Sequence, residues 1–347
     1  MSLDTFIRRM PKVELHVHLE GSIRPETLLL LAERNSVTLP ATTVAQTAEG
    51  LRQWYRFTDF PHFVEIYLAI SACIQSPEDI ELIAREFLRG QAAQQILHSE
   101  ATFTPFTHYN SNKRIPFEDQ IAALGRARDW AARELKISVG WVLDIVRNVR
   151  PVEHGLTVAD WAISGMESGV VALGLGGIEA GHPPELFQEA FARARASGLP
   201  AVPHAGETAG AESVRGALRA LKARRIGHGV RCLEDPELVA ELHDRQIPLE
   251  VCPTSNVCLG VAPSLDEHPL PRLLDEGLYV TINSDDPPMF NTTLTDEYLR
   301  AAQILGCGAE TIEQLAINAV RASLLPEASR VDMERRFRAE FARLRGY

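Results

Sequence analysis

Apolar and polar positions along the 347-residue chain fall into short β-type runs separated by amphipathic helical stretches. Eight runs stand out: KVELHVH (12–18), ILHSEATFTP (96–105), KISVGWVLDIV (136–146), VVALGLGG (170–177), LPAVPHAG (199–206), RRIGHGV (224–230), IPLEVCP (247–253) and LYVTINSDD (278–286). Several are near-continuous apolar runs, the pattern of parallel strands buried on both faces. The segments between them, such as PPELFQEAFARARASG and DPELVAELHDRQ, open with proline and acidic residues, which suit a helix N-terminus. Eight strand–helix units predict an α/β fold, a (β/α)8 TIM barrel of typically about 250 residues. The excess length lies in a helix-rich insertion after the first strand, about 22–95, and in a helical tail, about 309–347. With no internal repeat, low-complexity segment or Gly/Ser linker, residues 1–347 read as a single barrel domain.

Charge narrows the partners. The net charge of -11 is spread along the chain, with no basic stripe of the kind phosphate binding requires, so nucleic acid is not expected as a partner. No apolar run approaches the roughly 20 residues of a membrane helix, so no membrane partner is expected. The N-terminal MSLDTFIRRMPK lacks the apolar core of a signal peptide, and the five cysteines include no CxxC pair. A reducing cytoplasm is the expected setting.

Candidate chemistry gathers at the C-terminal strand ends, where barrel enzymes place their active sites. His16 and His18, one residue apart on the first strand, point to the same side. The fifth strand ends in His204 and Glu207, the sixth in His228, and the eighth in Asp285 and Asp286. Singly, each has a bland reading as a bonded core residue or a solvated turn. Together at one barrel mouth they predict a metal site, with His16, His18, His204 and Asp285 supplying three nitrogens and one oxygen. Zinc is the expected ion, although iron and manganese accept the same ligands. One Zn2+ per chain is expected. The fourth strand, VVALGLGG, offers no lysine to bridge a metal pair, and Lys12, Lys113, Lys136 and Lys222 all lie elsewhere.

At HVHLEG, HAGE, GHG, CPTSN and NSDDP the sequence resembles the adenosine deaminase family of metal-dependent amidohydrolases, in the family's motif order from about residue 10 to 325. The resemblance implies hydrolytic deamination of a small-molecule 6-aminopurine to the 6-oxo product and ammonia. It implies that His16, His18, His204 and Asp285 hold the metal and that Glu207 donates a proton to purine N1. His228 would orient the attacking water, Asp285 would accept its proton, Asp286 would bond N7, and the Gly177 N–H would meet N3. Glu20 stands where nucleoside-specific members typically carry aspartate facing the sugar, and Gly174 stands where an aspartate is common. Both departures weaken a simple carry-over of adenosine specificity, and NSDDPPMFNTTL most resembles the 6-aminodeoxyfutalosine deaminases of menaquinone biosynthesis; the resemblance implies adenosine or 6-aminodeoxyfutalosine as substrate, with free adenine as the alternative. For a carboxylate-bearing substrate, Arg147 and Arg150 are candidate cationic partners, against a plain reading as solvated loop arginines. Oligomeric state is not legible.

Rival patterns fail on their residues. GLGGIE places Glu179 where a dinucleotide-binding loop needs its third glycine. HSE at 98–100 echoes the cytidine-type deaminases but lacks their PCxxC partner. Ser255 and Asn256 of CPTSN are expected to brace neighbouring strand ends. A cyclic amidohydrolase would need two metals, and an inactive scaffold would be expected to have lost Glu207, His228 or Asp285.

Overall fold

The computed structural model describes residues 1–39, 47–110 and 114–346; Lys113 and part of the insertion lie outside them. Among the described residues, eight parallel strands form two four-stranded sheets, ordered β1-β2-β3-β4 and β5-β6-β7-β8. The first four are long: β1 Lys12–His18, β2 Ile96–Phe103, β3 Ser138–Val146 and β4 Val170–Gly176. The last four are short: β5 His204–Ala205, β6 Ile226–His228, β7 Leu249–Val251 and β8 Val280–Ile282. Backbone bridges join the sheets at both seams, Leu173 to Ala201 and Val17 to Asp285, which makes the ring of a (β/α)8 barrel. The predicted fifth strand is the one most reduced. Pro200 and Pro203 carry no N–H to donate to a ladder, so regular pairing begins only at His204.

Alternation along the strands separates inside from outside. Trp141, Leu143 and Ile145 of β3 pack into the apolar layer shared with the surrounding helices. Val142 belongs instead to a small inner cluster with Ala172 and Val202, so Val142 and Asp144 face the barrel interior. The insertion folds into the helices Pro25–Arg34, Ala48–Trp54, Phe60–Ala72 and Pro77–Ala93, and the tail into Ala309–Ala322 and Glu327–Arg345. Capping follows the sequence: Ser76 accepts from the Asp79 N–H, and Asp235 accepts from Glu237 and Leu238 at the start of helix Pro236–Arg245. Among the described residues no helix is long and apolar enough to cross a membrane.

Candidate active site

His16 and His18 come from the end of β1, His204 from β5, His228 from the end of β6, and Asp285 from the turn after β8. His228 and Asp285 adopt positive φ, 60° and 64°, a conformation uncommon for residues other than glycine and here confined by the packed barrel. His18 Nε2 lies 3.1 Å from His204 Nε2 and 3.3 Å from Asp285 Oδ1, and His16 Nε2 lies 3.5 Å from the same oxygen. Ligands about 2.1 Å from a tetrahedral centre stand roughly 3.4 Å apart, so these spacings suit one ion.

The outward-facing ring nitrogens are oriented from behind. His16 donates from Nδ1 to Glu250 Oε2 at 2.9 Å, leaving a buried Nε2 without a hydrogen-bond partner. His204 donates from Nδ1 to the Leu175 carbonyl at 2.9 Å. Both imidazoles therefore present an Nε2 lone pair to the same point, the arrangement of metal-bound histidines held by outer partners. Ser255 donates to Asp285 Oδ2 at 2.7 Å, leaving Oδ1 for the histidines. The donor set fits a divalent metal. His204, His228 and Asp285 also gather with His16 in one buried cluster, and Asp144 joins His18 and His204 in another.

Electrostatics divide the site. Burial alone would raise Asp285, but His16, His228 and His18 outweigh it and hold the carboxyl well below its usual range. Burial, reinforced by Asp285 and Glu179, pushes Glu207 well above the carboxylate range; burial beside Asp285 does the same to Asp286. Burial and then His16 bring His228 down to about 4, and burial lowers His18 and His204 as well. Burial opposes a charge on His16, yet Asp285 and Glu250 together draw it up to about 10. These two carboxylates favour a cation at this point, which is what a bound metal is. One ionised acid and two neutral ones thus surround the neutral imidazoles of His18, His204 and His228, and His16 marks the point that favours positive charge.

The mouth opens into a cavity of about 460 Å³, lined by His18, His204, Glu207, His228, Asp285 and Asp286 at its base and by Gly176 and Gly177 on one wall. Its outer wall is largely apolar, with Phe63, Leu68, Phe106, Val149 and Leu259, and Thr107, Asn110 and Asn148 add polar groups to the lining. Gly177 has φ 90°, and a Cβ there would stand 2.4 Å from Asn148 Oδ1, so only glycine fits. The Asp286 carboxylate fills the space beside Gly21, where a Cβ would stand 1.5 Å from its Oδ1.

Other predicted residues lie differently. Glu20 does not line the cavity; its Oε1 sits 3.0 Å from both the Thr104 N–H and His108 Nε2, while Oε2 is buried without a partner. Arg147 is fully buried and donates to the carbonyls of His182 and His204, at 2.8 and 3.0 Å. It is neither a solvated arginine nor a cavity-lining cation. Arg150 donates to the carbonyls of Arg147 and Val149. Asn256 braces the following loop through His268 at 3.1 Å, rather than a strand end.

Two residues carry more than their sequence setting suggests. Glu179, noted above only for breaking a glycine pattern, accepts the N–H groups of Gly206, Glu207, Thr208 and Ala209 at 2.6 to 3.1 Å, fixing the loop that carries Glu207. Asp144, in the apolar run WVLDIV, is 2% exposed, lines the cavity and has an Oδ1 without a hydrogen-bond partner. A lone acid near the C-terminal end of an apolar barrel strand was the available signal.

Comparison with known proteins gives the family and the fold. The adenosine deaminase family model matches residues 11–338. The chain is 42% identical over 334 residues to an aminodeoxyfutalosine deaminase of Streptomyces avermitilis, covering 94% of this chain and 90% of that protein. An adenine deaminase of Geotalea uraniireducens is 41% identical, with 92% and 88% covered. Among solved structures, adenine deaminase of Arthrobacter aurescens superposes with a TM-score of 0.89 at 32% identity, covering 95% of this chain and 98% of that one. A zinc-bound amidohydrolase of Burkholderia ambifaria gives 0.90 at 26% identity, covering 98% and 93%. With its barrel, its histidine–aspartate cluster and a match along nearly its whole length, the chain belongs to the adenosine deaminase family, metal-dependent hydrolases that act on the C–N bonds of cyclic amidines.

Proposed function

We propose that the protein is a zinc-dependent deaminase of a 6-aminopurine nucleoside, with 6-aminodeoxyfutalosine ahead of adenosine, releasing ammonia and leaving the 6-oxo product. The observation that carries this reading is the convergence of the His16, His18 and His204 Nε2 atoms and Asp285 Oδ1 beside a neutral Glu207. One zinc per chain would be held by these four residues. When bound, the metal brings the pKa of water to about 7 and so supplies a nucleophile at neutral pH.

Each remaining role follows from the state of the side chain. Glu207, kept protonated by burial, donates to the purine N1 and draws electrons from C6. Asp285, kept ionised, accepts the proton of the attacking water. His228, neutral and 3.6 Å from Glu207 and 4.0 Å from Asp285, orients that water and stabilises the charge developing on its oxygen. Asp286, kept protonated, donates to N7, and the Gly177 N–H serves N3. Glu20 would act at the sugar end through the His108 and Thr104 shell that holds it.

The choice of substrate is supported by the 42% identity to an aminodeoxyfutalosine deaminase and by the apolar outer wall, which suits a nucleoside carrying an aromatic group. The 41% identity to an adenine deaminase supports free adenine as the second reading. An ultraviolet assay of zinc-loaded protein against 6-aminodeoxyfutalosine, adenosine and adenine separates them. The expected result is the highest kcat/KM on the first; a clear preference for adenine would replace the nucleoside reading, and no ammonia from any would reject the substrate class.

A further inference from the structure

We propose that Asp144 strengthens the metal centre, as a positioning carboxylate delivered from β3 through a gap in β4. The inference rests on the zinc reading above. Asp144 and Gly174 are register partners in the β3–β4 ladder. A Cβ on Gly174 would stand 1.9 Å from Asp144 Oδ1, and one on Gly176 would stand 2.3 Å from Oδ2. The two alternate glycines of β4 thus form a notch that the carboxylate fills. At this height in the barrel there is room for one acid, and the chain places it on the third strand.

Its surroundings point toward the cation rather than toward packing. Packing alone would favour an apolar side chain, as at Val142 one inward position earlier. Instead a carboxylate is buried with one oxygen unpartnered and the other 3.8 Å from His204 Nδ1, whose proton is already given to Leu175. His18, His204 and Asp144 each offer an atom within 4.8 Å of the others. Such an acid is costly without a positive charge nearby and favourable beside one. Arg147, the nearest strand-end cation in sequence, donates Nε and Nη1 to the His182 and His204 carbonyls and makes no hydrogen bond to Asp144, on which it acts only at a distance. A metal between His18 and His204 would supply the missing charge.

The test is zinc affinity, read by competition with a chromophoric chelator in the absence of substrate. Asp144→Asn keeps the shape that fills the notch and should weaken zinc binding roughly 10- to 100-fold, the range found for outer partners of metal ligands. The melting temperature of the metal-free protein should stay unchanged or rise. Wild-type affinity in Asp144→Asn would overturn the proposal, as would a loss confined to the stability of the metal-free protein. A second variant asks whether the carboxylate itself matters: Asp144→Gly combined with Gly174→Asp moves the acid onto β4. This pair should bind zinc at least tenfold more tightly than Asp144→Gly alone, and a folded pair with no recovery would count against the proposal. If the pair does not fold, Asp144→Asn decides. A wild-type chain that holds no zinc would reject the zinc reading itself, whereas wild-type affinity in Asp144→Asn rejects only the role of Asp144.

Discussion

Two buried polar clusters are stacked in one barrel and share His16. In the lower cluster, toward the strand starts, charges meet their opposites. Arg225, 1% exposed, pairs with Glu250 and, at 2.6 Å, with Glu100, and donates to the Ala322 carbonyl at 3.0 Å. Glu100 Oε1 also accepts from the Leu324 N–H, and His98 bonds Ser138 at 2.8 Å. At the mouth, His16 Nε2, Glu207 Oε1, His228 Nδ1, Asp144 Oδ1 and Asp286 Oδ1 are buried without hydrogen-bond partners. The lower cluster balances its charges within the chain, with Arg225 Nη2 and Glu100 Oε2 facing each other as an ion pair that lacks hydrogen-bond geometry. The upper one is completed only by what binds, and its unmet valences are its chemistry.

Substitutions at the two levels should therefore fail in opposite ways. Glu207→Gln should abolish turnover, by about a thousandfold or more, because the amide cannot supply the ring nitrogen with an acid proton. Its zinc content, measured by elemental analysis, should stay at the wild-type level, and the metal-free protein should be no less stable. Surviving turnover would remove Glu207 from its role.

Below, Arg225→Met should act on the fold first. It leaves Glu100 and Glu250 buried and unpaired, at a cost of about 3–5 kcal/mol, read from denaturant melts. A variant as stable as wild type would erase the distinction between the two levels.

Acid gives a graded version of the same contrast. Burial alone would raise Glu100, but Arg225 overrides it and holds the carboxyl at about 2, below the ordinary 4.5. A depressed pKa adds stability that is complete above about pH 5 and lost as pH falls through 2, about 3 kcal/mol in all. Metal-free protein, titrated by circular dichroism, should lose stability across that window. Arg225→Met should flatten the loss, and Glu207→Gln should leave it in place.

The sequence made the upper cluster visible because its residues sit in short motifs at strand ends. HVH declares its geometry through the period of a strand, and HAGE and NSDD do so through their position at the barrel mouth. The eight strands were legible for the same reason, apart from their ends, which are shorter than the apolar runs and in β5 are cut by prolines. Glu179 was not legible: the N–H groups that donate to it begin 27 residues later and converge on it only when the loop at 206–209 folds back. Arg147 misled because its place just beyond a strand suggests solvent, whereas it is buried and donates to two backbone carbonyls. The Arg225–Glu250–His16 chain joins β7 and β1 to the residue just before β6, and no spacing within any one of these segments announces it.

The seam between β1 and β8 has a consequence in time. His18 donates its backbone N–H to the Asp285 carbonyl at 2.9 Å, and Asp285 donates to the His16 carbonyl at 3.1 Å. Residues with side chains at the site thus zip the ring shut with their main chains, although they lie far apart along the polypeptide. During synthesis the first strand leaves the ribosome hundreds of residues before its neighbour exists. A nascent chain has neither a closed barrel nor an ion site, and it acquires both in one late event, an order expected of contacts so distant in sequence.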